Sequence, residues 1–548
     1  MKRRKDSWND RLREIERALR RGFFRGEEWA RRFVKRSKRS PTQKVGDHPA
    51  SDKPSAGPVS KSAIPAAEVM APTIHPTPRP SETTPPRFRP RIDDGYALNM
   101  PEWADIGRSL QHPEFQGGRS TPMTVRIGVD LGTAFTKVAI RAGVDLVPVD
   151  WSDVTGDDSQ VGRFLVPGFV VRTPDGEFCW RRLAGADIEG NLKLQAIEMA
   201  KSGECPTATV AYLALVVRYA RAFLYRNAEI GRKLMARSLR WELNIGCPTE
   251  PHENPEVVDV FRRIARTAWL LAAENRLVEQ DVLAAWSLAD CAIDLEAEPG
   301  VVPEFVAQIA GYLGSSQVKE GLHALIDIGA ATVDVATFNV VLHKDRDAPP
   351  RIPIFFSEVR PLGTHYLRHN RHSKLGLDLS WNDAEPVEPP DDFGRRNGKS
   401  LDEVMNVDKE FIGEVAECVF GVVDSTRTNA RGNPNSSAWR EGLPIFVTGG
   451  GSSCNLYRQA IKEAETKLIG RVRGSLFDHS TNFRFIELDP TSGELQHVDI
   501  EAGKRLTVAL GLTEDAENIA KIVPHRDIEP IRRPVRERVD HTDLYGDR

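Results

Sequence analysis

The sequence predicts a mixed α/β protein, and three observations carry that prediction. Strand-like apolar runs alternate with long helix-like segments from about residue 124 to about 515. Two of the runs, residues 127–140 (IGVDLGTAFTKVAI) and 322–340 (LHALIDIGAATVDVATFNV), each read as two short strands around a turn of small residues with an aspartate beside it. A third stretch, 444–460 (PIFVTGGGSSCNLYRQA), passes from an apolar strand through three glycines and two serines into a helix.

Taken in order, the chain opens on an arm. Residues 1–39 hold 16 Lys/Arg against 6 Asp/Glu, so a net charge of −3 conceals a basic arm on an acidic body. Trp8, Leu12, Ile15 and Leu19 fall on one helical face with arginines around the rest, which predicts a basic amphipathic helix. Such a helix suits a protein groove or an anionic membrane surface; nucleic acid is a less favoured partner. Residues 40–122 follow as a linker. There are 12 prolines between positions 41 and 90, a composition that cannot bury enough surface to fold and predicts an extended tether. Tyr96, Trp103, Ile106 and Phe115 suggest a strap on the main body near the linker's end.

The body, residues 123–515, has the ordinary apolar and charged content of a soluble globular protein, 40% and 28% for the whole chain. Its most apolar helical stretch, 207–224, contains Arg218 and Arg221 and is expected to be a core helix. Six scattered cysteines without a CxxC pair, and an N-terminus without an apolar signal core, predict free thiols in a reducing cytoplasm. Helices are expected at 207–230, at 255–275 behind an Asn254 cap, at 281–293 and at 305–313; strands are expected at 164–172 and 240–246. Residues 516–548 read as a polar tail.

The turns carry the chemistry. In the first, Gly132, Thr133 and Ala134 leave room for a phosphate beside Asp130, with Lys137 seven residues on. In the second, Gly329, Ala330, Ala331 and Thr332 lie between Asp327 and Asp334. Two carboxylates beside a phosphate repel it unless a cation intervenes, and Mg²⁺, which takes carboxylate, water and phosphate oxygens, is the natural choice. Gly449, Gly450 and Gly451 can approach a flat ring or ribose-phosphate, with Ser452 or Ser453 capping the helix that follows.

These three stretches, in this order, resemble the nucleotide-binding signature of the actin, Hsp70 and sugar-kinase superfamily. DLGTAFTKV is similar to its first phosphate motif, DIGAATVD to its second and VTGGGSS to its adenosine motif. The resemblance implies a two-lobed body of duplicated RNase-H-like domains, with ATP or ADP and Mg²⁺ between the lobes. The Hsp70-like branch is the nearest in pattern: 197 residues separate Asp130 from Asp327, residues 303–312 (PEFVAQIAGY) resemble the segment ahead of its second phosphate motif, VRPLGTHYL the loop after it, and RLTVALGL its closing helix. That likeness implies Glu304 as the residue orienting the attacking water. Asp130, Asp327 and Asp334 would hold Mg²⁺ directly or through its waters, and Lys137 would neutralise phosphate charge as an actin lysine does. The Hsp70-type catalytic lysine has no match, and Lys193 carries no motif that would assign it. Only 36 residues follow Leu512, too few for a peptide-binding domain. The expected function is therefore a Mg-dependent ATPase that switches a protein partner. An actin-like filament protein, a non-hydrolysing nucleotide scaffold and a small-molecule kinase are the alternatives.

Overall fold

The computed structural model describes residues 98–530, apart from 118–120, 182, 184, 249–253, 289–297, 316, 344–347, 380, 382–384, 473–481, 488–494 and 496–497. The basic arm, the proline-rich tether, Cys291 and residues 531–548 lie outside the described residues.

Two mixed sheets organise the body. The first contains β1 (Met123–Leu131), β2 (Phe135–Ala142), β3 (Asp145–Pro148), β4 (Leu239–Cys247) and β5 (Gly300–Pro303), in the order β5-β4-β1-β2-β3. The second contains β6 (Gly321–Ile328), β7 (Val333–Val340), β8 (Arg351–Arg360), β9 (Leu443–Thr448), β10 (Phe483–Ile486) and β11 (Lys521–Val523), in the order β10-β9-β6-β7-β8-β11. In both, a central strand forms an antiparallel hairpin with the next strand in sequence and lies parallel to a strand that arrives after a long helical crossover. Strand order and sense are the same in the two sheets; β11 is an addition to the second.

Each sheet has its own apolar core. The first is built on α1 (Leu192–Ser202), α2 (Thr207–Arg226) and α3 (Pro255–Leu271), with residues of β1, β2 and β4. Although α2 is long and apolar enough to span a membrane, 17 of its 20 residues are buried inside the protein, so it is a core helix. Its arginines stay inside: Arg218 Nε donates to the Ala272 carbonyl at 3.1 Å, and the Arg221 guanidinium lies 3.6 Å from the Trp269 ring centre. The helix expected to reach residue 230 stops at Arg226, because Asn227 leaves the helical conformation and its side chain accepts from the Glu229 and Ile230 amides, starting a new helix, Ile230–Met235. Asn254 caps α3 by accepting from the Glu256 amide. The linker's end packs on this lobe: Leu98 is buried, Tyr225 donates to the Ser109 carbonyl at 2.9 Å, and Trp241 donates to that of Leu110 at 2.7 Å.

The second core lies between β6, β7 and the helices α5 (Thr364–Lys374), α6 (Leu401–Thr428) and α7 (Asn455–Val472). Ser400 and Glu403 form a capping box at the start of α6. Arg371 of α5 makes a two-pronged ion pair with Asp408 of α6, both distances 2.8 Å, and both side chains are 1% exposed. The folded body continues past residue 515, where the sequence predicts a polar tail. Ile519 and Ala520 are buried, and Lys521–Val523 pairs in parallel with the start of β8, where Ile522 packs against the apolar cluster that contains Ile352 and Ile354.

Two helices meet between the sheets: α4 (Glu304–Leu313) and α8 (Ile500–Gly511). Their crossing needs glycine, since a Cβ on Gly511 would stand 1.9 Å from the Ala307 carbonyl oxygen. On its other side α8 presses on β1, where a Cβ on Gly128 would lie 2.5 Å from the Ala509 oxygen.

Candidate functional site

A cleft of about 500 Å³ opens where the turns of the two hairpins face one another. It lies within the volume range typical of small-molecule sites. Lining it are Asp130, Gly132, Thr133, Ala134 and Lys137 from the first hairpin, and Asp327, Gly329, Ala330, Thr332 and Asp334 from the second. Gly449 and Gly450 from the turn after β9, and Glu304 at the start of α4, complete the set expected from the sequence. The remaining three, Ala331, Gly451 and Ser452, are not on the cleft surface. Ala331 and Ser452 are buried, and Ala331 accepts from the Gly363 amide. The Gly451 amide donates to the Ile328 carbonyl, and a Cβ there would meet Ile328 Cγ2 at 2.3 Å. These residues hold the turns together behind the cleft. Ser452 does not begin the next helix, which starts at Asn455.

Backbone hydrogen bonds lace the turns into one unit. The Thr364 and His365 amides donate to the Gly329 and Ala330 carbonyls, so the start of α5 braces the second turn. The Gly168 amide donates to the Ala134 carbonyl and braces the first. Gly449 has φ 83°, and a Cβ there would stand 2.2 Å from Asp327 Oδ1. Only glycine satisfies both the left-handed backbone and that approach.

The two hairpins differ in charge at equivalent positions. In the first, the penultimate cross-strand pair is Asp130 and Lys137, with Lys137 Nζ 2.7 Å from Asp130 Oδ2. In the second, it is Asp327 and Asp334, two carboxylates on directly opposed residues. Like charges so placed repel. Asp327 Oδ1 is closed off from solvent and has no hydrogen-bond partner among the described residues. Burial raises the Asp327 pKa above the usual carboxylate range; the Gln308 hydrogen bond opposes that and the Asp130 charge adds to it. Gln308 is itself held by the Thr448 hydroxyl at 3.0 Å.

Lys193, which no motif singles out, enters the cleft from the first turn of α1. Its ammonium lies 2.6 and 2.8 Å from the two Glu304 carboxylate oxygens, and both side chains are nearly buried. Burial works to lower the Lys193 pKa, but the charges of Glu304, Asp130 and Asp327 outweigh it and hold the ammonium above its ordinary value. Burial pushes Glu304 upward, Lys193 pulls it back, and Asp130 adds to the rise. Gly246 of β4 leaves room for this carboxylate, since a Cβ there would lie 3.0 Å from Glu304 Cγ. The local signal for Lys193 is weak: Gly190-Asn191 marks a helix start, and Asn191 is the one non-glycine residue with positive φ among those described, 56°. Which lysine then reaches the cleft depends on how α1 docks against α3.

The donor set fits a hard divalent cation in one respect: it offers carboxylate oxygens, including a buried one without a partner. Among the described residues no three His, Cys, Asp or Glu side chains converge as a cage, so Asp130, Asp327 and Asp334 do not by themselves surround a metal. That suits an ion such as Mg²⁺, which keeps several waters and shares its remaining positions with phosphate oxygens.

Fold and cleft together define a mixed α/β protein built on two sheets of like strand order, with an acidic, lysine-bearing cleft between its hairpin turns. No family model matches the sequence, and no curated protein matches it. Among solved structures, the chain is similar to the ethanolamine utilization protein EutJ from Carboxydothermus hydrogenoformans, at 14% identity and a TM-score of 0.31, over 75% of this chain and 94% of that one.

Proposed function

We propose that this protein is an ATP-binding member of the actin and Hsp70 superfamily, closest in kind to an Hsp70-like nucleotide-binding body, and that it hydrolyses ATP as a switch acting on a protein partner. The observation that carries the reading is the convergence of three distant sequence stretches on one cleft, two of them at equivalent strands of sheets with the same order and sense. On this reading the sheets are duplicated RNase-H-like domains.

The turn at Gly132–Ala134 and the turn at Gly329–Thr332 would bind the phosphates through backbone amides and the hydroxyls of Thr133 and Thr332. Asp130, Asp327 and Asp334 would hold Mg²⁺ through its waters, and the ion would supply charge to offset that of the phosphate oxygens. Glu304 would orient the attacking water and accept its proton. Lys193 would fix the Glu304 carboxylate, taking the place of the Hsp70-type lysine that lacks a motif. Lys137 would keep Asp130 in position and face the phosphate chain. Such groups act by positioning and by stabilising charge. A partner would be engaged through the body or through the basic arm at residues 1–39.

The test is titration of the full chain with ATP and ADP, with and without Mg²⁺, followed by phosphate release. Mg-dependent binding and turnover support the proposal; failure to bind either nucleotide under both conditions overturns it. Light scattering in ATP distinguishes a switch from a filament.

A further inference from the structure

Each lysine that lines the cleft is already neutralised by a carboxylate. Lys137 is paired with Asp130 and Lys193 with Glu304, while Lys504, at the rim, is paired with Glu501 at 2.8 Å. Arg505, one residue further along α8, also lines the cleft, and no carboxylate among the described residues lies at ion-pair distance from it. Its guanidinium packs flat against the glycine turn: a Cβ on Gly450 would meet the guanidinium carbon at 3.6 Å and Nε at 3.7 Å. The side chain is partly buried, and burial lowers its pKa from the ordinary value, with the Arg368 charge adding to the effect and Glu501 opposing it. A guanidinium remains charged in such surroundings, and its fork of donors matches phosphate geometry.

We infer that Arg505 is an anion-binding residue of this cleft, contacting the phosphate chain of a nucleoside di- or triphosphate at the segment nearest the Gly449–Gly451 turn. The inference rests on the nucleotide reading and adds a binding group that none of the three motifs contains. Because that segment is common to both nucleotides, the contact is made with ADP and ATP alike.

The experiment compares wild type with Arg505→Gln, Arg505→Lys and Lys504→Gln by calorimetric titration of ADP, ATP and adenosine in Mg²⁺, with melting temperatures as a check on folding. Loss of a charge-assisted hydrogen bond predicts roughly ten- to hundredfold weaker ADP and ATP binding in Arg505→Gln. Arg505→Lys should recover part of that loss. Adenosine binding in the variant and nucleotide binding in Lys504→Gln should match wild type. If wild type binds and Arg505→Gln binds ADP equally well, the inference is wrong. The same holds if adenosine weakens as much as ADP, which would make Arg505 only part of the wall. Absence of nucleotide binding by wild type is a separate outcome, and it overturns the functional reading itself.

Discussion

Replacing Lys193 by Met would remove the cation that faces Glu304 and leave the carboxylate enclosed near Asp130 and Asp327. Breaking a buried ion pair from one side costs about 3–5 kcal/mol, because the remaining charge keeps its desolvation penalty. For a body of this size the unfolding entropy is about 1 kcal/mol per kelvin, so the melting temperature should fall by about 3–5 °C at pH 8. The loss should depend on pH in a definite direction. Burial and Asp130 raise Glu304 above its unfolded value, and in the variant Lys193 no longer pulls it back. A carboxyl with a raised folded pKa stabilises the fold below its unfolded pKa of about 4.3, and that contribution is lost as pH rises through the folded value. The gap between variant and wild type should therefore widen from pH 5 to pH 8, and adding Glu304→Gln should close most of it. Calorimetric melting of the nucleotide-free protein across that range is the assay. A variant that melts with wild type at every pH would refute the buried-pair argument.

Asp327→Asn should reduce phosphate release by roughly 10²–10³-fold, the usual loss for one electrostatic group, while raising the melting temperature at pH 8 by removing a buried charge whose pKa burial and Asp130 hold up; wild-type turnover or a lower melting temperature would count against the cation site. Gly449→Ala should weaken nucleotide binding and stability together, since its left-handed backbone alone costs about 1–2 kcal/mol and its Cβ would stand 2.2 Å from Asp327 Oδ1. Gly450→Ala, whose nearest contact is 3.6 Å, should be much milder by the same titration and melting measurements. Asp408→Ala should cost about 3–5 kcal/mol in chemical denaturation by stranding the buried Arg371, with nucleotide affinity changed less than stability.

The hairpins were legible in the sequence because their physics is local. A period-two apolar pattern interrupted by small residues specifies both the strands and the turn, so the sequence alone places Asp130 and Asp327 beside their hairpin turns. The helix at 255 was likewise legible from Asn254 and Pro255, residues that act within one turn. Lys193 was not, because its role depends on α1 bringing it to a glutamate 111 positions away. Arg505 escaped for the same reason: its neighbour Gly450 comes from another element, and nothing beside it in the chain marks a binding role. The break at Asn227 and the edge strand at Lys521–Val523 were missed because a single polar side chain and a three-residue run become meaningful only against the surfaces that receive them.

The unequal charges of the two hairpins make fold stability a gauge of occupancy. One turn sets Lys137 2.7 Å from Asp130, whereas the other closes off Asp327 Oδ1 from solvent, where burial raises the carboxyl's pKa. A ligand that brings positive charge to the second turn favours the ionised form of that buried carboxylate, and any ligand preferring the folded state stabilises it by RT ln(1 + [L]/Kd), about 2.7 kcal/mol at a hundredfold excess over Kd. On the proposed reading, the protein's resistance to unfolding and proteolysis would track the supply of Mg²⁺ and nucleotide, so its abundance could respond to that supply without any change in its synthesis.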